Sequence, residues 1–151
     1  MTITAKNISW SVKQKKILHD VSLKAEPGKH VAIIGPNGAG KTSLLRILAG
    51  EFSPKEGAIH YGKNTLSSLS LDELAKTRAV MSQHTEMHFP FTVAQIVAMG
   101  RFPHGKQPSK DDYTIMDQMM KACDIYHLRD QNSQTLSGGE QQRMHAARVL
   151  T

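Results

Sequence analysis

A glycine-rich loop between an apolar run and a helical stretch constrains this chain more than any other feature of its sequence. Residues 35–42 have the sequence GPNGAGKT, which fits the pattern G-x-x-x-x-G-K-[ST] at every fixed position. Residues 31–34 (VAII) form a short continuous apolar run, which predicts a strand buried on both faces. Residues 42–49 are predicted to form a helix that Gly50 ends. Strand, glycine loop and helix thus follow one another in the order of a phosphate-binding unit.

The residue types of this phosphate loop (residues 35–42) suit the terminal phosphates of a nucleotide. Glycines let the backbone wrap closely and turn its N–H groups inward, and the following helix adds a partial positive charge at its N-terminus. Lys41 can reach the β- and γ-phosphates, and the Thr42 hydroxyl can ligate Mg²⁺. A chance match is expected in well under about one such chain in a hundred. The predicted nucleotide-binding residues are Gly35, Pro36, Asn37, Gly38, Ala39, Gly40, Lys41, Thr42 and Ser43.

Periodicity and helix caps predict the remaining elements. Strands are expected at residues 21–25, 58–61 and 79–82. Helices are expected at residues 70–76, 92–100, 110–123 and 140–150, with a loop at 102–108. The side of the first helix that faces the core is predicted to carry Leu44, Leu45 and Leu48. Core packing, rather than a haem or metal site, is expected for Met116, Met119, Met120 and Cys123.

Composition limits the classes of protein to which the chain can belong. Of its 151 residues 39% are hydrophobic, so a core can form and disorder is not expected. The formal net charge of +6 suits anionic partners, but it also suits ordinary surface solvation, since no run of five like charges occurs. With one cysteine, no N-terminal apolar segment and no apolar run of roughly 20 residues, we expect a cytosolic protein.

A second glycine pair lies near the end of the chain, at residues 136–143 (LSGGEQQR). Two glycines expose backbone N–H groups, a serine offers a hydroxyl and a helix begins at once, so a second anion site is one interpretation. The same residues also fit an ordinary helix cap, because Ser-Gly-Gly before Glu is common capping chemistry. The residues of this second loop are Ser137, Gly138, Gly139 and Glu140.

Together the two loops resemble the ABC ATPase family. LSGGEQQR is similar to its signature motif, with Glu140 where the common form has Gln. Trp10 lies where the family places an aromatic residue that stacks on adenine, and Gln83 resembles the glutamine that contacts Mg²⁺ and the attacking water. Taken alone, Trp10 also fits a packed aromatic and Gln83 a polar surface residue. The resemblance implies ATP and Mg²⁺ as cofactors, Lys41 and Gln83 as catalytic residues, and Thr42 and Gln83 at the metal.

The resemblance also implies an assembly. Each ATP would lie between the loop around Lys41 of one subunit and the loop around Ser137 of another, in a head-to-tail dimer of two identical chains. Transmembrane permease subunits would be the partners, with a periplasmic or surface substrate-binding protein acting indirectly and no nucleic acid. The protein would then sit at the cytoplasmic face of the inner membrane.

Three segments resemble a narrower group of importers. FPFTV at residues 89–93 and MGRFPH at 99–104 are similar to the helical subdomain of importers for iron-siderophore, haem and cobalamin. RAVMSQ at 78–83, together with FPFTV, is most similar to bacterial haem importers. Gly100 and Pro103 also fit a helix end and a turn. Surface or permease-facing positions, rather than haem ligation, are expected for His84, His88 and His104.

The implied fold class is α/β, an incomplete P-loop NTPase (RecA-like) core with an N-terminal antiparallel β subdomain and an α-helical subdomain. The β subdomain and core are expected at residues 1–83, the helical subdomain at 84–140 and the signature helix at 140–150. The family's Walker B strand, which ends in Asp-Glu, and its switch histidine do not occur in these residues, since His145 falls on the signature helix. We therefore expect a truncated chain that binds nucleotide without ATPase turnover and has marginal stability.

Two other classes compete with an importer subunit. A non-transport ABC ATPase that acts on nucleic acid or ribosomes suits the basic charge, but the spacing between the two loops is compact and leaves no room for long insertions. A small kinase or GTPase also uses a phosphate loop. The second loop argues against that class, as does the lack of an Asn-Lys-x-Asp motif.

Overall fold

The computed structural model describes residues 1–81, 89–105 and 108–151. They form two compact units, Met1–Leu74 and Ala75–Thr151. The strands are β1 (Ile3–Val12), β2 (Lys15–Ala25), β3 (Glu56–Tyr61) and β4 (Asn64–Thr65). The α-helices are α1 (Lys41–Leu48), α2 (Leu71–Thr77), α3 (Val93–Ala98), α4 (Lys110–Ala122) and α5 (Gly138–Leu150). Short 3-10 helices occupy Leu66–Ser68, Met99–His104, Tyr126–Leu128 and Ser133–Thr135.

The first unit is built on one antiparallel sheet in the order β2-β1-β3-β4. β1 and β2 form a hairpin whose tight turn is helped by Lys13, with a φ of 53°. The predicted alternation at residues 21–25 is confirmed, since Ser22 and Lys24 are exposed while the residues between them are half-buried. The predicted strand at 58–61 is confirmed as part of β3.

Helix α1 packs on this sheet through Leu44 and Ile47, both buried. The prediction that Leu45 lies on the core-facing side of α1 is wrong, because Leu45 is 55% exposed. Ile47 is buried on that side instead. In a helix with 3.6 residues per turn, positions 44, 47 and 48 share one face. The last turn is tied to β3, since the Tyr61 hydroxyl donates to the carbonyl of Leu48 at 2.7 Å.

Two predicted strands are not formed. Residues 31–34 have no regular structure, and neither do residues 79–81; Ser82, the last residue of the second segment, lies outside the described residues. A buried parallel strand needs hydrogen-bonding neighbours on its edges and cover on both faces. In the described ranges every named strand belongs to the antiparallel sheet, so these segments lack such neighbours. Ile34 is consequently 92% exposed.

The second unit is helical and is capped largely as predicted. The Ser70–Glu73 and Thr92–Gln95 capping boxes are confirmed, the first belonging to α2 at the junction with the first unit. The core of the second unit contains Val93, Ile96, Val97, Met116, Met120, Ile125, Leu136, Met144 and Ala147. Core packing of the methionine stripe is thus confirmed for Met116 and Met120.

The end of the helix predicted at residues 92–100 differs from the expectation. α3 stops at Ala98 and a 3-10 helix, Met99–His104, follows, so the start of the predicted loop at 102–108 is helical. Pro103 lies inside this segment and lacks the N–H that an α-helix needs. No α-helix in the described ranges has both the length and the apolarity that a bilayer crossing needs.

Among the glycines of the first unit, Gly57 is the one at which an added side chain should lower the free energy of unfolding most. Its φ is +89°, and a Cβ there would press on the backbone carbonyls of Lys6 and Asn7 in β1. Gly28 has a φ of +71° with nothing near its Cβ position, so it serves as the matched control. Urea unfolding should give a free energy lower by about 1 kcal/mol for Gly28→Ala and by about 3 kcal/mol for Gly57→Ala. Equal losses would contradict this account.

Candidate functional site: the phosphate loop and its surroundings

The phosphate loop lies directly before α1, and its C-terminal end is held in place by Gly40. Gly40 is buried with a φ of 88°, and a Cβ there would lie 2.9 Å from Leu18 Cδ2 and 3.1 Å from the Ile17 carbonyl oxygen. Only glycine combines this left-handed conformation with so close an approach to β2. Gly38 also has a positive φ, of 81°. Gly40 therefore holds the end of the loop against the sheet, while residues 35–39 stay exposed.

The N-terminus of α1 differs from those of the capped helices α3, α4 and α5. Its N-cap residue Gly40 provides no side-chain hydrogen bond, and no acidic residue lies in its first turn. By contrast, α3, α4 and α5 each begin with a capping box. No side chain of the cap therefore accepts a hydrogen bond from the first-turn N–H groups of α1. The positive end of the helix dipole is also not neutralised by a local carboxylate. This is the arrangement that binds an anion.

Lys41 folds back over the phosphate loop. Its Nζ donates to the carbonyl oxygens of Gly35 and Pro36, at 2.8 Å in both cases. Inside the loop, the Ala39 N–H donates to the Pro36 carbonyl at 3.3 Å. The ammonium is therefore already above the loop, held by neutral acceptors. Thr42 is exposed next to it, with its hydroxyl open to a ligand.

Trp10 lies on β1 of the same unit, half-buried at the edge of the core. Its indole stacks on Phe52, with ring centroids 5.3 Å apart and planes 10° apart. The guanidinium carbon of Arg46 lies 4.1 Å from the centroid of Phe52. Sequence reasoning did not single out Phe52 or Arg46, because 42 positions separate the two rings and no periodic pattern links them.

The second loop is closed by its own helix. The Ser137 hydroxyl and N–H both donate to Oε2 of Glu140, each at 2.7 Å, and the Glu140 N–H donates back to the Ser137 hydroxyl at 3.4 Å. Both groups lower the pKa of the Glu140 carboxyl. Gly138 and Gly139 are exposed. The ordinary capping box that the sequence left open as an alternative is thus present.

The predicted site residues are divided between the two units, and some lie outside the described residues. Trp10 and the phosphate loop belong to the first unit, whereas the second loop belongs to the other. Gln83, His84 and His88 lie outside the described residues. His104 is exposed at the end of the 3-10 helix that follows α3.

Comparison with known proteins gives a consistent family. The ABC transporter family matches residues 18–151. The sequence is 43% identical over 141 residues to the "Hemin import ATP-binding protein HmuV" of Methylobacillus flagellatus, covering 93% of this chain and 52% of that protein. It is 43% identical over 148 residues to the protein of the same name from Escherichia coli O157:H7, covering 98% and 57%. The chain spans about half the length of the curated relatives it matches.

A solved structure of a bacterial Atm1-family ABC exporter with ATP bound is similar in fold. The TM-score is 0.83 at 27% identity, over 99% of this chain and 27% of that chain. The predicted fold class, an incomplete P-loop core with an antiparallel β subdomain and a helical subdomain, is confirmed.

The Ser137–Glu140 capping box should make stability depend on acid. Because the folded-state pKa of Glu140 is lowered, its contribution is present above the unfolded pKa of about 4.3 and is lost as pH falls through the folded value. Urea unfolding between pH 6 and pH 3 should therefore show a smaller loss of unfolding free energy in Glu140→Gln than in the wild type. Asp130→Asn, at a side chain that is 90% exposed, is the control. Equal acid losses in all three proteins would refute the argument.

Proposed function

Since the chain belongs to the ABC transporter family, we propose that it binds MgATP at the phosphate loop as the ATP-binding part of a membrane transporter. The observation that carries this proposal is the uncapped N-terminus of α1, directly behind a glycine loop over which Lys41 is folded. Donors and positive charge converge there, and in the described part of the first unit no acidic side chain of α1 competes for them.

Each residue of the loop has a role that its position supports. Lys41 exchanges its two carbonyl acceptors for phosphate oxygens, which are stronger acceptors because they carry charge. The Thr42 hydroxyl, exposed at the start of α1, is a hard oxygen ligand of the kind that Mg²⁺ prefers. Bound Mg²⁺ neutralises the charge that develops on the phosphates during transfer. Gln83 is proposed, from its sequence alone, to position the attacking water.

Trp10 is proposed to receive the adenine. It lies in the same unit as the phosphate loop, and its indole is already held in one plane by Phe52. An indole offers a large π face, and stacking of a base on an aromatic ring is worth roughly 1–3 kcal/mol. Base and phosphates are thereby bound by separate groups of residues.

Two copies are proposed to close head to tail over two nucleotides, each second loop facing the phosphate loop of the other subunit. The exposed amides of Gly138 and Gly139 support this, since they begin α5 and have its positive end behind them. The Glu140 carboxylate accepts a hydrogen bond from the Ser137 hydroxyl, so that hydroxyl must turn away from Glu140 to donate to a phosphate.

Haem or a related iron chelate is the proposed cargo of the transporter. Two relatives at 43% identity carry the name of hemin import proteins. Phe89 and Phe102, in the segments most similar to that group, are largely exposed and suit contact with a permease. We propose that the protein is held at the cytoplasmic face of the inner membrane by this permease, with a substrate-binding protein upstream.

Lys41→Ala should weaken ATP binding roughly 100-fold, because two charge-assisted hydrogen bonds are lost at roughly 1.5 kcal/mol or more each. Calorimetric titration of the purified protein with MgATP measures the change. Lys29→Ala removes an exposed lysine from the preceding turn and should leave the affinity within about twofold. If the two variants bind ATP equally well, the proposed role of the phosphate loop is wrong.

Transport can be tested by complementation. A bacterial strain that lacks its own ATP-binding subunit for haem import should regain growth on haem when it receives a hybrid gene, in which this chain replaces the matching residues of a full-length relative. The Lys41→Ala and Ser137→Arg versions should fail, the second because its bulk blocks closure over the partner's phosphates. Parallel strains that lack the ATP-binding subunit for ferric-siderophore import or for cobalamin import, each grown on its own nutrient, distinguish the cargo. Growth on either of these without growth on haem would overturn the haem proposal.

A further inference from the structure

Three side chains form a stack in the first unit, which also contains the phosphate loop: Trp10, Phe52 and Arg46. Trp10 and Phe52 are nearly parallel at 5.3 Å, and the Arg46 guanidinium lies 4.1 Å from the Phe52 centroid. Trp10 and Phe52 are half-buried and pack against the core of this unit. Neither Phe52 nor Arg46 belongs to the phosphate loop or touches Lys41 by any hydrogen bond seen in this unit.

The stack is mounted on the helix that begins at the phosphate loop. Arg46 belongs to the last turn of α1, and its Nε donates to Oε2 of Glu51 at 2.8 Å. The Glu51 N–H donates to the Arg46 carbonyl at 2.9 Å, which tightens the chain after the helix. Phe52 follows at once. The helix that carries Lys41 at its first residue therefore also fixes Phe52 against Trp10.

We propose that Phe52 is the positioning residue for base recognition: it covers one face of the Trp10 indole and presents the other to the adenine. A planar ring has two faces, so a ring whose first face is covered can stack a base only on its second. An indole without such support loses its fixed plane, and the entropy of ordering it must then be met on binding. Arg46 restrains Phe52 in turn through its contact over the ring.

This inference rests on the proposed function, since it assumes that a nucleotide binds with its base on Trp10. It makes a claim of its own, however. Affinity that comes from the base should depend on Phe52, whereas affinity that comes from the phosphates should not. The opposite geometry, in which Phe52 occupies the face that a base would use, predicts the reverse sign, because removing the ring would then free a stacking surface.

The test compares ATP with inorganic tripolyphosphate, which has the phosphates but no base. Phe52→Leu keeps the apolar volume but loses the flat face, and Phe52→Tyr restores it. Tyr113→Leu, at an exposed aromatic residue of the other unit, is the control. Trp10 is the sole tryptophan in the sequence, so its fluorescence reports directly on the stack during each titration.

Phe52→Leu should bind ATP roughly threefold to tenfold more weakly, the value of one aromatic pair, and tripolyphosphate within about twofold of the wild type. ATP should also shift the Trp10 fluorescence less in this variant, and Phe52→Tyr should recover both properties. Unchanged or tighter ATP binding, or an equal loss for both ligands, overturns the positioning role. Failure of the wild type to bind either ligand overturns the proposed function instead, and the two failures are thereby distinct.

Discussion

The contact between Gly40 and β2 is the constraint on which the proposed nucleotide site depends. It brings the end of the phosphate loop against the Ile17 carbonyl and the Leu18 side chain, where a Cβ has no room. Leu44 and Ile47 then bury one side of α1 on the sheet and fix the direction of the helix. Because the first-turn N–H groups point along the helix axis, this packing decides where an anion can bind. The apolar core thus sets the chemistry of an exposed loop.

The chain uses two glycine-bearing helix starts in opposite ways. At α5 the Glu140 carboxylate accepts hydrogen bonds from the Ser137 hydroxyl and N–H, so polar groups at the start of the helix are paired within its own chain. At α1 no side chain does so, and Lys41 adds positive charge that two neutral carbonyls only partly offset. A filled cap stabilises the isolated chain, whereas an open one costs stability that a bound anion can return. The difference in capping therefore leaves the start of α1 open to an anion, whereas the Ser137 hydroxyl at the start of α5 is already hydrogen-bonded.

A feature could be predicted from the sequence when the residues that determine it lie close together along the chain. Helix starts such as Thr92 with Gln95 depend on four neighbouring residues, so their pattern is sufficient. The strand at residues 31–34 depends on partners far along the chain, which an apolar run cannot supply. The exchange of Leu45 for Ile47 depends on the rotation of α1 against the sheet. The Phe52 stack depends on a contact across 42 positions, and nothing in the local sequence announces it.

The unpaired run before the phosphate loop links strand formation to nucleotide binding. Ile34 is exposed, although its apolar neighbours have the composition of a buried strand. Gly35 follows it directly, and its carbonyl is one of the two that hold Lys41. Any strand that pairs with residues 31–34 therefore also restrains the first residue of the loop. A ligand that draws Lys41 to itself releases this carbonyl from its hydrogen bond. Pairing of residues 31–34 would then replace, at the start of the loop, the restraint that Lys41 gives up.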